Sequence, residues 1–448
     1  MGKNRKCAVL LFGMVASLLG LVSSSWADFH ITPSIALREE YNDNIFLTAT
    51  DKKDDFITSI SPSIHLGYTA SILTLNLDYG LDVRLYAKHS DQNLTSLQNT
   101  QRAQLGTTVS LYRDIVKLRV QDVYARVPAD IRQQAAINNY LVNMTDSNSL
   151  TVNPYVEYPI TGTLEARLSY QYDNQWYKDS SLSKYQSHTF EVGLTKELTP
   201  QLAVSALYDY IITDYTSAMV PDYNRQNARA NIRYQVTPRL SLIGSAGETW
   251  FDYKDMGSTS SPTWNIGAKY EVTGRLSLSA SYEQDYYNPA VGVPLPASYL
   301  SSYYSTGTLF PGMPYPADYY ANAYGPYKTD TATAGVTYSG NIPVSVQFTY
   351  GRNKYTQVVR EDKWEGVTIS TNKPVTSKIT CGVSGLYSHY TYLPENEKAD
   401  RYGADVHLSY ALRITTLELG YVYNRNNSSV GANDYSNNIV YIQARFVL

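Results

Sequence analysis

The chain is poor in the residues from which active centres and covalent cross-links are built. It has two cysteines and six histidines in 448 residues. Cys7 falls in an N-terminal segment read below as removable. That leaves Cys381 alone and excludes an intramolecular disulfide in the exported chain. Phosphate-binding loops, HExxH and paired CxxC motifs are absent. The run Gly382-Val383-Ser384-Gly385-Leu386 departs from a nucleophile elbow at its last position. The acidic stretch Asp51 to Asp55 lacks the ligand spacing of a known cation loop. His30, His65, His89, His188, His389 and His407 are scattered. No catalytic residue, metal ligand or cofactor is therefore assigned, and the chain is not expected to be an enzyme. A basic run is also missing, which argues against nucleic acid as a partner. Beyond residue 22 no long apolar run occurs and mean hydropathy is −0.33, which excludes helical membrane spans.

What the chain does have is alternation. From Leu73, every second residue (Leu75, Leu77, Tyr79, Leu81, Val83, Leu85, Ala87) is apolar or small. The residues between are Thr74, Asn76, Asp78, Gly80, Asp82, Arg84, Tyr86 and Lys88. A strand sends neighbouring side chains to opposite faces, so this stretch reads as one long strand between oil and water. It exceeds the five or six residues usual in soluble proteins. Barrel strands escape hydropathy averages because only alternate residues face lipid. The 43 tyrosines, against nine phenylalanines, suit a protein with two membrane interfaces to line.

The pattern recurs some twenty times, over 31–43, 56–70, 73–88, 101–112, 115–126, 149–159, 164–178, 185–198, 202–215, 223–237, 240–253, 263–272, 276–287, 328–339, 343–355, 363–371, 376–392, 400–412, 415–425 and 435–447. The joins alternate too. One set is tight: Arg113-Asp114, Thr161-Gly162, Thr199-Pro200-Gln201, Thr237-Pro238-Arg239, Thr273-Gly274 and Gly340-Asn341. The other set is longer and polar, as at 44–55, 89–100, 127–148 and 393–399. Short turns at one end and long loops at the other are the asymmetry of outer-membrane barrels. The fold expected is all-β: a transmembrane antiparallel up-and-down barrel of about 20 strands, within 16–22. The last stripe, Val440, Ile442, Ala444, Phe446 and Leu448, agrees with it.

Ahead of the barrel, Lys3, Arg5 and Lys6 precede the apolar run Cys7 to Val22 and the small-residue exit Ser25-Trp26-Ala27. Residues 1–27 read as a secretory signal, cleaved before Asp28, and 28–448 as the barrel. Cleavage removes three basic residues, so 34 Lys+Arg face 40 Asp+Glu and the net charge moves from −3 to −6.

Asp78, Asp82, Arg84, Lys117, Arg119, Glu165, Arg167, Arg229, Arg233, Lys269 and Arg445 all fall on polar stripes. Facing lipid, each mid-membrane Arg or Lys would cost about 2–4 kcal/mol, so these residues are expected to line a water-filled interior. Both signs occur, which predicts weak ionic selectivity. A long segment, 288–327, carries Tyr303, Tyr304, Tyr315, Tyr319, Tyr320 and Tyr324 among Pro, Gly, Ala and Ser, and is expected to narrow the mouth.

The opening of the exported chain combines Pro33-Ser34-Ile35, Glu40-Tyr41-Asn42-Asp43-Asn44-Ile45-Phe46-Leu47-Thr48, Asp54-Asp55-Phe56-Ile57-Thr58 and Ser61-Pro62. It resembles the β-barrel porin 2 family of outer-membrane proteins, some of which accompany exopolysaccharide gene clusters. The resemblance implies an outer-membrane location and transfers no catalytic or ligand residue. The function expected is passive passage of a hydrophilic solute or polymer through a lipid-embedded pore. The rivals are a structural or secretion-partner barrel working with a periplasmic exopolysaccharide exporter and, third, a lipid-modifying hydrolase.

Overall fold

The computed structural model describes residues 28–448 apart from 131, 135, 137, 217–219, 255–256, 288–325 and 357. The signal segment and nearly all of 288–327 lie outside the described residues. The described chain is almost entirely strand. In order these are β1 (Asp28–Asn42), β2 (Asp55–Thr69), β3 (Leu73–Leu81), β4 (Val83–Tyr86), β5 (Gln101–Tyr112), β6 (Val116–Pro128) and β7 (Met144–Thr161). Next come β8 (Leu164–Tyr177), β9 (Tyr185–Thr199), β10 (Leu202–Tyr215), β11 (Tyr223–Thr237), β12 (Leu240–Tyr253), β13 (Gly257–Thr273) and β14 (Leu276–Tyr287). The last are β15 (Tyr327–Tyr338), β16 (Val344–Tyr355), β17 (Glu361–Pro374), β18 (Ile379–Leu393), β19 (Glu397–Ala411), β20 (Thr415–Ser428) and β21 (Tyr435–Val447).

With β3 and β4 together lying between β2 and β5, each strand pairs antiparallel with the next in the ring, and β21 returns to pair with β1, so the sheet closes. β3 and β4 are one stave, divided only at Asp82, whose N–H continues the β3–β5 register by meeting the Thr100 carbonyl at 2.8 Å. The barrel thus has twenty staves. Closure leaves no open edge, which in lipid would strand backbone donors and acceptors.

Register fixes the faces. Leu37, Leu168, Leu194, Ile232, Ile266, Phe348, Val406, Leu419, Val440 and Ile442 point outward and are between 43% and 64% exposed. Leu77, opposite Leu66 and Leu105, shares that outward stripe, and Asp78, opposite His65 and Gln104, faces in. Toward the long-loop ends the outward stripe turns polar, as at Gln186, Asp214, Asn224 and Gln226. The wall therefore extends past its apolar band.

A repeated device makes the short turns. Thr161, Thr199, Thr237, Thr273 and Thr376 each accept, on the side-chain hydroxyl, the backbone N–H two residues on, at 3.2–3.3 Å. A threonine at the end of a strand, or just past it for Thr376, thereby replaces the ladder partner that the reversal removes. The connection expected to be long at 393–399 is instead a three-residue turn between Leu393 and Glu397.

The Asn42–Asn44 motif explains itself at the seam. Asn437 Nδ2 donates to Asn42 Oδ1 and, at 3.2 Å, to the Asn44 carbonyl. Asp43 accepts the backbone N–H of Asn438 at 2.7 Å and its side-chain amide at 2.6 Å. Asn44, fully buried, bonds both backbone groups of Thr48 and the Ser436 carbonyl. These side chains clasp the first stave to the last.

Candidate functional site

The eleven charged residues assigned above to polar stripes all lie on the inward face by register. They divide between two unlike halves of the interior.

One half, built on β1, β2, β4 and β18–β21, is filled. Gly420 has no side chain, so the Tyr441 ring lies against it; a Cβ there would sit 2.3 Å from the ring. The Arg38 guanidinium stacks on that ring, 3.7 Å from its centroid, and its Nε donates to Glu40 Oε2 at 2.7 Å. Arg84 stands 3.6 Å from the same carboxylate and 3.4 Å from Asp82. Tyr441 in turn donates to Glu418 at 2.7 Å. Glu40 is 1% exposed, and a charge so deeply placed persists only with cationic partners of this kind. Arg84 is thus a brace rather than a solvated lining group. His65 with Asp78, and His407 with Asp405, each at 2.7 Å, extend the bracing.

The other half carries a ladder of alternating charge. Lys117 and Arg167 meet Glu157 at 3.3 and 3.2 Å, and Arg167 also meets Glu191 at 3.0 Å. Further round, Arg229 joins Asp209 at 3.1 Å to Asp285 at 3.6 Å. To reach β14 from β11 its chain lies flat over Gly247, where a Cβ would come within 2.8 Å of Arg229 Cγ. Neighbouring inward positions are small and hydroxylated: Ser241 and Ser245 on β12, Ser277, Ser279 and Ser281 on β14, Thr333 and Thr337 on β15. Beside them a cavity of about 460 Å³ spans the inner wall from β9 to β14, with Ser205, Asn231, Arg233, Ser245, Asn265 and Glu283 on its lining. Glu165, Lys269, Arg119 and Arg445 face the interior without lining this cavity. Among the described residues no group of His, Cys, Asp and Glu is placed to hold a metal ion.

At the long-loop end the interior is bridged by the connection 129–143, between β6 and β7. Its neck is tied by Ala129 N–H to the Asn143 carbonyl at 2.7 Å and by Asn143 Nδ2 to the Asp130 carbonyl at 2.7 Å. From there it reaches staves far round the ring. Arg132 bonds Asp362 at 2.8 Å, Glu395 at 2.6 Å and the Leu393 carbonyl at 2.7 Å. Arg360 meets Asp130 at 3.2 Å. Gln134 donates to the Ala432 carbonyl, and Asn139 to the Ile45 carbonyl at 2.8 Å. The Tyr140 ring covers the Arg84 guanidinium at 3.6 Å, and Ala136 packs with Leu47 and Tyr435. At this exposed corner Glu395 is held below the usual carboxylate range chiefly by its own backbone N–H, with burial opposing and Arg132 adding to the lowering.

Sequence reasoning gave the mouth to 288–327, whose Tyr303, Tyr304, Tyr315, Tyr319, Tyr320 and Tyr324 lie outside the described residues. It treated 127–148 as one more polar connection. The available signal was the apolar group Ala136, Tyr140, Leu141 and Val142 inside it.

Residues 149–339 match the family model of the outer membrane protein beta-barrel domain. The match does not include the 33–62 segment that resembles the porin 2 family. No curated protein matches the chain by sequence. Solved structures that share its fold include the following two. The FrpB iron transporter from Neisseria meningitidis (F5-1 variant) is similar over 93% of this chain and 82% of its own, with a TM-score of 0.52 and 9% identity. The siderophore receptor PirA from Acinetobacter baumannii is similar over 95% of this chain and 81% of its own, with a TM-score of 0.50 and 8% identity. The chain is a closed antiparallel β-barrel whose residues 149–339 match the outer-membrane barrel domain and whose fold these two structures share.

Proposed function

We propose that the barrel is a channel for passive passage of small hydrophilic solutes across the outer membrane. The observation that carries the reading is the uneven interior. One half is packed by Arg–carboxylate–Tyr layers, while the half on β9–β15 is walled by serine, threonine and asparagine around a 460 Å³ cavity. Small hydroxyls exchange hydrogen bonds with water and solute without strong retention, as permeation requires. The ladder's charges are of both signs and largely paired, which argues for weak ionic selectivity. The 129–143 span favours small solutes over polymer. The cargoes of the iron transporter and the siderophore receptor are not carried over, since 8–9% identity speaks for fold alone.

The test is single-channel recording of the purified barrel in planar bilayers, with sugars of graded size as blockers. Discrete conductance of low ion selectivity, blocked by small sugars and not by large ones, is expected. A barrel with normal heat-modifiable gel mobility that fails to conduct would overturn the reading in favour of a structural or secretion-partner role.

A further inference from the structure

The cavity on the β9–β14 wall is more particular than a passage needs to be. Its charged side chains are mostly engaged: Arg229 by Asp209 and Asp285, and Glu283 by Asn265 Nδ2 at 3.5 Å. Arg233 differs, making no ion pair or hydrogen bond among the described residues while lining the cavity. Its cross-strand neighbours are Ala203 on β10 and Ile243 on β12, whose side chains accept nothing from a guanidinium. Two residues along β11, Asn231 donates to Ser205 at 3.0 Å, and Ser245 lies directly across from it on β12. Thr263 Oγ1 and Arg229 Nε, also in this lining, are buried without a hydrogen-bond partner. The site therefore offers one unspent guanidinium fork, a bank of hydroxyl and amide groups, and one apolar surface at Ile243.

We propose that this cavity binds a small acidic sugar, an anionic group on a polyhydroxy ring. Arg233 receives the anion, for which the planar fork suits carboxylate and phosphate alike. Asn231, Ser245 and Thr263 meet the ring hydroxyls, and Ile243 the C–H face. The volume lies within the roughly 300–1,000 Å³ of small-molecule sites. This rests on the channel reading in that the site lies on the proposed path, but binding is measurable without conduction.

The experiment is calorimetric titration of the barrel in detergent micelles with glucuronate, glucose 6-phosphate, glucose, acetate and inorganic phosphate, repeated on Arg233→Gln and Arg233→Lys. At least one acidic sugar should bind about tenfold or more tighter than glucose and than its bare anion, in keeping with one charge-assisted bidentate contact. Which acidic sugar binds tighter separates carboxylate from phosphate. Arg233→Gln should lower that affinity to the level of glucose, and Arg233→Lys should fall between. Equal binding of glucose, equal binding of acetate or phosphate, or an Arg233→Gln barrel that binds as the wild type does would each overturn the site. Run beside the bilayer recordings, a conducting barrel without this preference removes the site alone, and a binding barrel without conductance removes the channel alone.

Discussion

Replacing Arg132 by alanine removes the strongest tie at the far end of the span over the mouth, where Arg360 still meets Asp130 at 3.2 Å, and leaves the wall untouched. The bond to Asp362 is charge-assisted, 2.8 Å long and made to a carboxylate that is fully buried. A contact of that kind contributes about 1.5–3 kcal/mol. The bond to the Leu393 carbonyl adds roughly 1 kcal/mol. The Glu395 contact, to an exposed carboxylate, adds little. Asp362 is not orphaned by the substitution, because Arg360 remains 3.1 Å away, so the larger penalty of a buried unpaired charge does not arise. The anchor should weaken by about 3 kcal/mol, which is about a hundredfold in the ratio of released to seated span. Asn139, Tyr140 and Ala136 still hold the near side, so release should be transient. Single-channel traces of Arg132→Ala should show brief excursions to higher conductance, about a hundredfold more frequent than in wild type. Unchanged gel mobility would certify the barrel. Excursions no more frequent than in wild type, in a correctly assembled barrel, would refute the assignment of the span to the mouth.

Further expectations concern the wall, the seam and pH. Leu77→Arg places a charge on the lipid face at about 2–4 kcal/mol and should impair assembly, whereas Asp78→Arg, one residue on and facing inward, should fold; heat-modifiable mobility reads both. Asn44→Ala removes four half-buried side-chain hydrogen bonds, one of them across the seam to Ser436, and should cost about 2–4 kcal/mol, seen as a lower temperature for the mobility shift. Because the folded-state pKa of Glu395 is depressed, its contribution to the anchor is complete above the ordinary glutamate value and fades as pH falls through the folded one. That contribution is small for an exposed carboxylate, so excursions should rise only slightly as pH falls below the ordinary glutamate range, and Glu395→Gln should show the same slight rise already at neutral pH.

All twenty staves were legible from side-chain alternation, because lipid on one side and water on the other leave a period-two record. Their ends were less so, for a physical reason. Met144–Asn148 and Gly257–Pro262 belong to strands, yet neither stretch alternates. They lie where the wall rises past the apolar band, and there the outward positions face water. Asp146, for example, is satisfied by Arg126 at 3.5 Å and Lys178 at 3.0 Å rather than excluded from the wall. The inward charges could be named from sequence, but not their division between a braced half and an open one. That division depends on which staves the ring brings together, as when Arg38 and Glu40 on the first stave meet Tyr441 on the last. The bridging of the mouth by 129–143 was hidden for the same reason. Arg132 and Asp362 are 230 residues apart, and neither stands out locally.

The asparagine clasp between the first and last staves bears on how a closing ring finds its proper stagger. A slip of one residue at the seam would turn every side chain to the wrong solvent and is rejected by hydrophobicity alone. A slip of two keeps every apolar residue outward and every polar one inward, so the bilayer cannot detect it. It would, however, carry Asn437 and Asn438 two places along from Asn42 and Asp43, leaving their amides and the buried Asn44 without the partners they now have. The motif thus acts as a vernier, marking the one coincidence of two otherwise interchangeable scales.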